Sequence, residues 1–185
     1  MKKIFSLMLL AAVSLLAASC HGEGGEEGTL PPGNESGYYE FPLNVQEGGF
    51  KASGNGVSIE LTSLEPDNIV FDLVPGSAVK SYRVEVYPKV MIYNLLLNEG
   101  CLEAETAVCE DKIIQLIRNS TSAGSHVFSA SSSDDFAQKE FDWANTTYTD
   151  AIIVPDCDYF ILALACYDAD GKNPASLSIA HVVTQ

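Results

Sequence analysis

Cationic side chains are scarce in this 185-residue chain: ten Lys and Arg stand against 25 Asp and Glu, a formal net charge of −15. Nucleic-acid phosphates and anionic membrane surfaces repel such a chain, so no nucleic-acid partner is expected. Tryptophan occurs once, at Trp143, and histidine only at His21, His126 and His181. No CxxC pair and no Cys/His cluster is present, which removes the usual zinc sites. HExxH and GxSxG are absent too, and with them the two commonest hydrolase signatures that can be read locally. There is no internal repeat. No cofactor or metal is expected from what remains.

Long apolar runs are also missing, except at the start. Met1-Lys2-Lys3 is followed by an apolar run from Ile4 to Ala18, interrupted by Ser6 and Ser14. A membrane span needs roughly 20 such residues, whereas a signal-peptide core needs fewer. The run ends in Leu16-Ala17-Ala18-Ser19-Cys20. Small residues directly before a Cys resemble the lipobox of bacterial lipoproteins. The resemblance implies cleavage after residue 19, acylation of Cys20, and attachment to the outer membrane through acyl chains. Each buried CH₂ contributes about 0.8 kcal/mol, so several chains anchor firmly where one does not.

Residues 20–56 read as a tether. The stretch His21-Gly-Glu-Gly-Gly-Glu-Glu-Gly28 and the Pro31–Gly37 segment offer almost nothing to bury. An acidic, Gly-rich stretch after a lipidated Cys is similar to the export signal of surface lipoproteins in Bacteroidetes, which implies a cell-surface location. Removal of residues 1–19 takes away Lys2 and Lys3 and no acid, leaving 25 Asp and Glu against 8 Lys and Arg, a net charge of −17. Residues 57–185 are long enough for one domain with its own core.

Four cysteines lie in that domain: Cys101, Cys109, Cys157 and Cys166. An exported chain meets oxidising conditions, so all four are candidate disulfide cysteines. Cys157 and Cys166 on one extended strand would be about 30 Å apart, beyond the ~7 Å that a disulfide allows between Cα atoms. That leaves a local Cys101–Cys109 loop or cross-links between the two pairs.

Alternation predicts strands at Val57–Thr62, Asn68–Pro75 and Ser81–Tyr87. Val90–Gly100 lacks alternation and ends in Gly, as a short helix does. Glu103–Asn119 reads as a second helix, with Cys109, Ile113, Leu116 and Ile117 on one face, acids in its first turns and Arg118 at its end. A short strand is expected at His126–Ala130, and Phe141 and Trp143 alternate like a strand. Asp158–Tyr167 is the strongest strand, followed by turn chemistry at Asp168–Gly171 and a last strand at Ser176–Val183.

The pattern Ile153-x-Pro155-x-Cys157-x-Tyr159-x-Ile161-x-Ala163-x-Ala165, then Gly171 and Ser176, resembles the last third of a fibronectin type III domain, with Cys157 where that family usually has Thr. Ile69–Pro75 and Tyr82–Val86 look like its second and third strands. The implied fold is mainly β: an immunoglobulin-like, fibronectin type III-like β-sandwich with a partly helical insertion at about 90–145, between central strands. Strand 158–167 is apolar on both faces and must be covered on both. Tyr159, Ile161, Ala163 and Ala165 suit the inter-sheet core. Phe160, Leu162, Leu164 and Cys166 need a second cover, and the inserted helices are expected to supply it, with Cys109 on the buried stripe.

Asp168-Ala-Asp170-Gly171 echoes a calcium loop, but the twelfth position is Ile179 where a bidentate Glu is required, so a hairpin turn is expected. Asp134-Asp135 and Asp156/Asp158 read as loop acids. The best ligand-binding aromatics are Trp143, Tyr148 and Tyr87, with Tyr38 and Tyr39 behind them. No catalytic residue is expected. The functional expectation is a non-catalytic, surface-tethered interaction module for a glycan or protein ligand. Two competing readings are a hydrolase with its site in the 90–145 insertion and a structural subunit of an outer-membrane complex.

Overall fold

A computed structural model of the chain describes residues 41–120, 127–130, 139–143 and 153–185. The chain is mainly β, with nine strands in two sheets and two helices among these residues. The strands are β1 (Val45–Glu47), β2 (Gly49–Phe50), β3 (Val57–Glu65), β4 (Asn68–Pro75), β5 (Ser81–Pro88), β6 (Phe128–Ser129), β7 (Lys139–Asp142), β8 (Asp158–Cys166) and β9 (Pro174–Val183). Helices α1 (Lys89–Asn98) and α2 (Thr106–Asn119) lie between β5 and β6. One sheet has the order β1-β9-β8-β5-β6, the other β2-β3-β4-β7.

The two sheets face each other across a core that alternation builds. Val57 and Ile59 of β3, Ile69, Phe71 and Leu73 of β4, and Tyr82, Val84 and Val86 of β5 are buried in it. Tyr159, Ile161, Ala163 and Ala165 of β8 complete the layer, with Ala180 and Val182 of β9. Each large apolar side chain taken fully out of water contributes about 1.5–3 kcal/mol. Phe71, Phe141 and Trp143 form the aromatic centre, at ring separations of 5.6–6.4 Å.

The other face of β8 is covered as its sequence demands. Phe160, Leu162, Leu164 and Cys166 pack with Ile92 and Leu96 of α1, Cys109, Ile113 and Ile117 of α2, and Cys101 between the helices. Helix α1 follows Pro88 directly and stops at Gly100, whose φ of +73° is a left-handed position. The Cys101 N–H donates to the Leu96 carbonyl and the Gly100 N–H to the Leu97 carbonyl, the paired bonds of a Schellman stop. Helix α2 begins at Thr106, three residues later than expected, so Glu103 and Glu105 precede its first turn.

The domain also begins earlier than expected. Phe41 is buried in the helix-side core, β1 pairs in parallel with β9, and β2 pairs antiparallel with β3. Residues 41–56, expected as tether, therefore belong to the fold. The chain crosses from one sheet to the other at Gly48-Gly49, and a Cβ on Gly49 would lie 2.9 Å from the Ile59 carbonyl oxygen. No helix among the described residues is long and apolar enough to cross a membrane.

Candidate functional site

Several residues singled out as site candidates turn out to be structural. Trp143 is fully buried against Phe71 and Phe141, so it is a core residue and not a surface aromatic. Tyr87 is half-buried beneath the helices and shares a side-chain hydrogen bond with Ser120. Burial, then the neighbouring charge of Glu85, pushes its phenol pKa upward. Tyr148, Tyr38, Tyr39, Cys20, His21, His126 and the Asp134-Asp135 pair lie outside the described residues.

The cysteines need the same correction. Cys101, Cys109 and Cys166 are free thiols, each fully buried, so none of the pairings expected among the four domain cysteines is present; Cys157 alone of the four is disulfide-bonded. The Cys109 thiol donates to the Cys101 carbonyl at 3.6 Å. All three act as small apolar side chains in the helix-side core. Asp168 serves its turn: its carboxylate accepts the N–H groups of Lys172 (2.9 Å) and Asn173 (3.0 Å). Its pKa is lowered chiefly by the Asn173 N–H.

What remains is a site at the open edge of the sandwich, built by residues 45–56 laid against β9. The chain after β2 turns back along the start of β9 and leaves a groove of about 300 Å³. Phe50 and Leu177 give it apolar walls, and Ser53, Asn55 and Ser176 give it hydroxyl and amide groups. Lys51 is the one cation in this lining. The groove is held from within: Ser53 Oγ donates to Asn55 Oδ1 (3.2 Å), Ser176 Oγ to the Asn55 carbonyl (3.1 Å), and the Ala52 N–H to Ser58 Oγ (3.1 Å). A side chain on Gly56 would collide with Ala52, its Cβ falling 2.6 Å away. Ser178 also lines the groove, with a buried hydroxyl that has no hydrogen-bond partner among the described residues. The lining holds no acid–base pair and no activated nucleophile.

Beyond the groove, on the helix-facing side of the same sheet, stands a second polar cluster that the sequence did not suggest. The His181 ring contacts Glu47 Oε2 through Nδ1 and Asp158 Oδ1 through Nε2, both at 2.6 Å. It links β1, β9 and β8 at one level. The three residues do not form a metal centre: no group of three or more His, Cys, Asp or Glu among the described residues is placed to hold an ion. Sequence separations of 134 and 23 residues hide the cluster, and only pairing β1 with β9 brings it together. Comparison with protein-family models, curated proteins and solved structures finds no match to this chain.

Proposed function

We infer that this chain is a lipid-anchored cell-envelope protein whose folded part is a non-catalytic binding module held at the cell surface on an acidic leash. Cys20 and the residues around it support the anchor, and residues 21–40 support the leash. A fibronectin type III-like frame for the module draws support from strand order. Taking β3, β4 and β7 as strands A, B and E, and β9, β8, β5 and β6 as G, F, C and C′, with β1 and β2 as added edge strands, is the assignment that supports this reading. The bond from the Val154 N–H to the Tyr159 hydroxyl at the start of β8 supports it again, since a tyrosine corner is a hallmark of such sandwiches. Helices α1 and α2 then occupy the connection from C to C′.

The observation that carries the binding reading is the groove beside β9. Its neutral hydroxyl and amide groups next to Phe50 suit a hydroxyl-rich ligand, and a glycan fits that lining better than a flat protein epitope does. Fold alone does not fix function, so the groove has to be tested directly. A glycan array and a pull-down from envelope fractions, using the chain without residues 1–20, should return a glycan ligand. Lys51→Glu and Asn55→Ala should each weaken its binding by about tenfold. Silence on the array, or binding that both substitutions leave unchanged, sinks the assignment. Turnover of the ligand would move the reading to an enzyme.

A further inference from the structure

The His181 cluster has a proton inventory that its heavy atoms define. A carboxylate is an acceptor only, and a neutral imidazole has one N–H and one bare nitrogen. The ring orientation is unambiguous, because turning it over would put carbon atoms against both carboxylates. Both 2.6 Å contacts are hydrogen bonds at once only while both ring nitrogens carry hydrogen. Losing one proton forces a choice between Glu47 and Asp158.

Burial makes that choice. The His181 side chain is 9% exposed and that of Asp158 31%, while that of Glu47 is 80% exposed. A half-buried carboxylate facing a bare nitrogen loses its donor with little water to replace it, whereas an exposed one turns to solvent. The surviving proton therefore belongs on Nε2, toward Asp158, and the bond that breaks is the one to Glu47. Among the described residues, β2 contributes no titratable or charged group, and α1 contributes Tyr93, whose ring meets Phe160, and Lys89, which lies over Tyr93. Helix α2 and β3 also pack on β9: in α2, Glu110 bonds Asn44 and Lys112 pairs with Glu99, and in β3 Glu60 and Glu65 are exposed.

Glu47 is the last residue of β1, and the N–H of the next residue, Gly48, donates to the His181 carbonyl at 2.8 Å. We propose that the second proton on His181 latches strand β1 to the sheet, so that its loss loosens the N-terminal segment from the sandwich edge. Loosening residues 41–47 adds about 25 Å of extended chain in front of the domain. It also loosens the segment that leads into the groove. The device holds whether or not the groove binds a glycan.

The test is amide exchange and ring ¹⁵N chemical shifts on the full chain in detergent micelles, across the range in which the His181 signals titrate. The Gly48 amide should lose about fivefold in protection as the ring loses its proton, the scale of an ion pair with one exposed partner. Amides of the β3–β4 hairpin should not change, and the neutral ring should carry its hydrogen on Nε2. Glu47→Gln gives the converse readout, because its side-chain amide donates to a bare Nδ1 and should keep β1 protected after deprotonation. The hairpin amides report whether that variant is folded. Constant Gly48 protection through the titration, a neutral ring protonated on Nδ1, or a Glu47→Gln variant that loosens like the parent would each overturn the latch.

Discussion

The hydroxyl of Tyr159 accepts the backbone N–H of Val154 at 3.0 Å, spanning five residues of the chain as it turns into β8. Thr184 binds the same corner from the other side, donating to the Val154 carbonyl at 2.7 Å while accepting the Cys157 N–H at 3.1 Å. Asp156, at a φ of +54°, makes the turn between them. Side chains thus satisfy backbone groups that no ladder reaches. Tyr159→Phe and Thr184→Val keep shape and delete one hydroxyl each. Each should cost about 1–3 kcal/mol in urea unfolding, with an unchanged slope. A loss well under that range in both would mean that the corner does not depend on these bonds.

The early start of the domain sets a second expectation. A chain beginning at residue 41 should melt like one beginning at residue 21. One beginning at residue 57 loses Phe41 from the helix-side core and both short strands from the edge. It should melt at least several degrees lower and self-associate through the bared β9. Equal melting curves by circular dichroism would restore residues 41–56 to the tether.

Burial pushes the Cys109 thiol pKa up, with Cys101 beside it adding to the shift, and burial followed by the Asp168 charge does the same at Cys166. A raised pKa leaves less thiolate to react. An alkylating reagent should therefore label Cys109 and Cys166 only after denaturation, and Cys101 too because it is fully buried, as read by peptide mass spectrometry. Fast labelling of Cys109 in the native protein would contradict the packing of α2 on β8.

Asp168 gives stability a defined pH dependence. Its folded pKa is depressed, so its contribution is complete above the unfolded carboxylate value and fades as pH falls toward the folded one. Asp168→Asn should flatten that part of the acid-unfolding curve. A variant whose curve parallels the parent's below pH ~4 would remove the carboxylate from the account.

Core packing sets the last expectation. Trp143→Ala empties the space beside Phe71 and Phe141 and should destabilise by about 3–5 kcal/mol. A smaller loss would put Trp143 at the surface after all.

Much of the frame was legible because burial writes itself as a period. Val57, Ile59, Ile69, Phe71 and Leu73 alternate, Cys109, Ile113 and Ile117 recur at helical spacing, and β8 is apolar on both faces because both are covered. Residues 45–50 carry no such period. Val-Gln-Glu-Gly-Gly-Phe is held by backbone pairing to strands far along the chain, and three residues cannot show a repeat. The groove was hidden for the same reason, and the His181 cluster because its carboxylates come from different strands. Trp143 misled in the opposite direction: a lone aromatic among polar neighbours looks like a ligand contact until its rings of contact are known.

Strands β1 and β9 run side by side in the same direction, and β9 is held along its length by β8. Consider a pull directed along β1. Its backbone bonds to β9 are then loaded together in shear, instead of opening one by one like a zipper. The Asn44–Glu110 bond (2.9 Å) and the Glu47–His181 contact rivet the two ends of that short strand. The N-terminal segment is thus a mechanical fastening of the domain, arranged so that tension along β1 meets its pairing with β9 in shear.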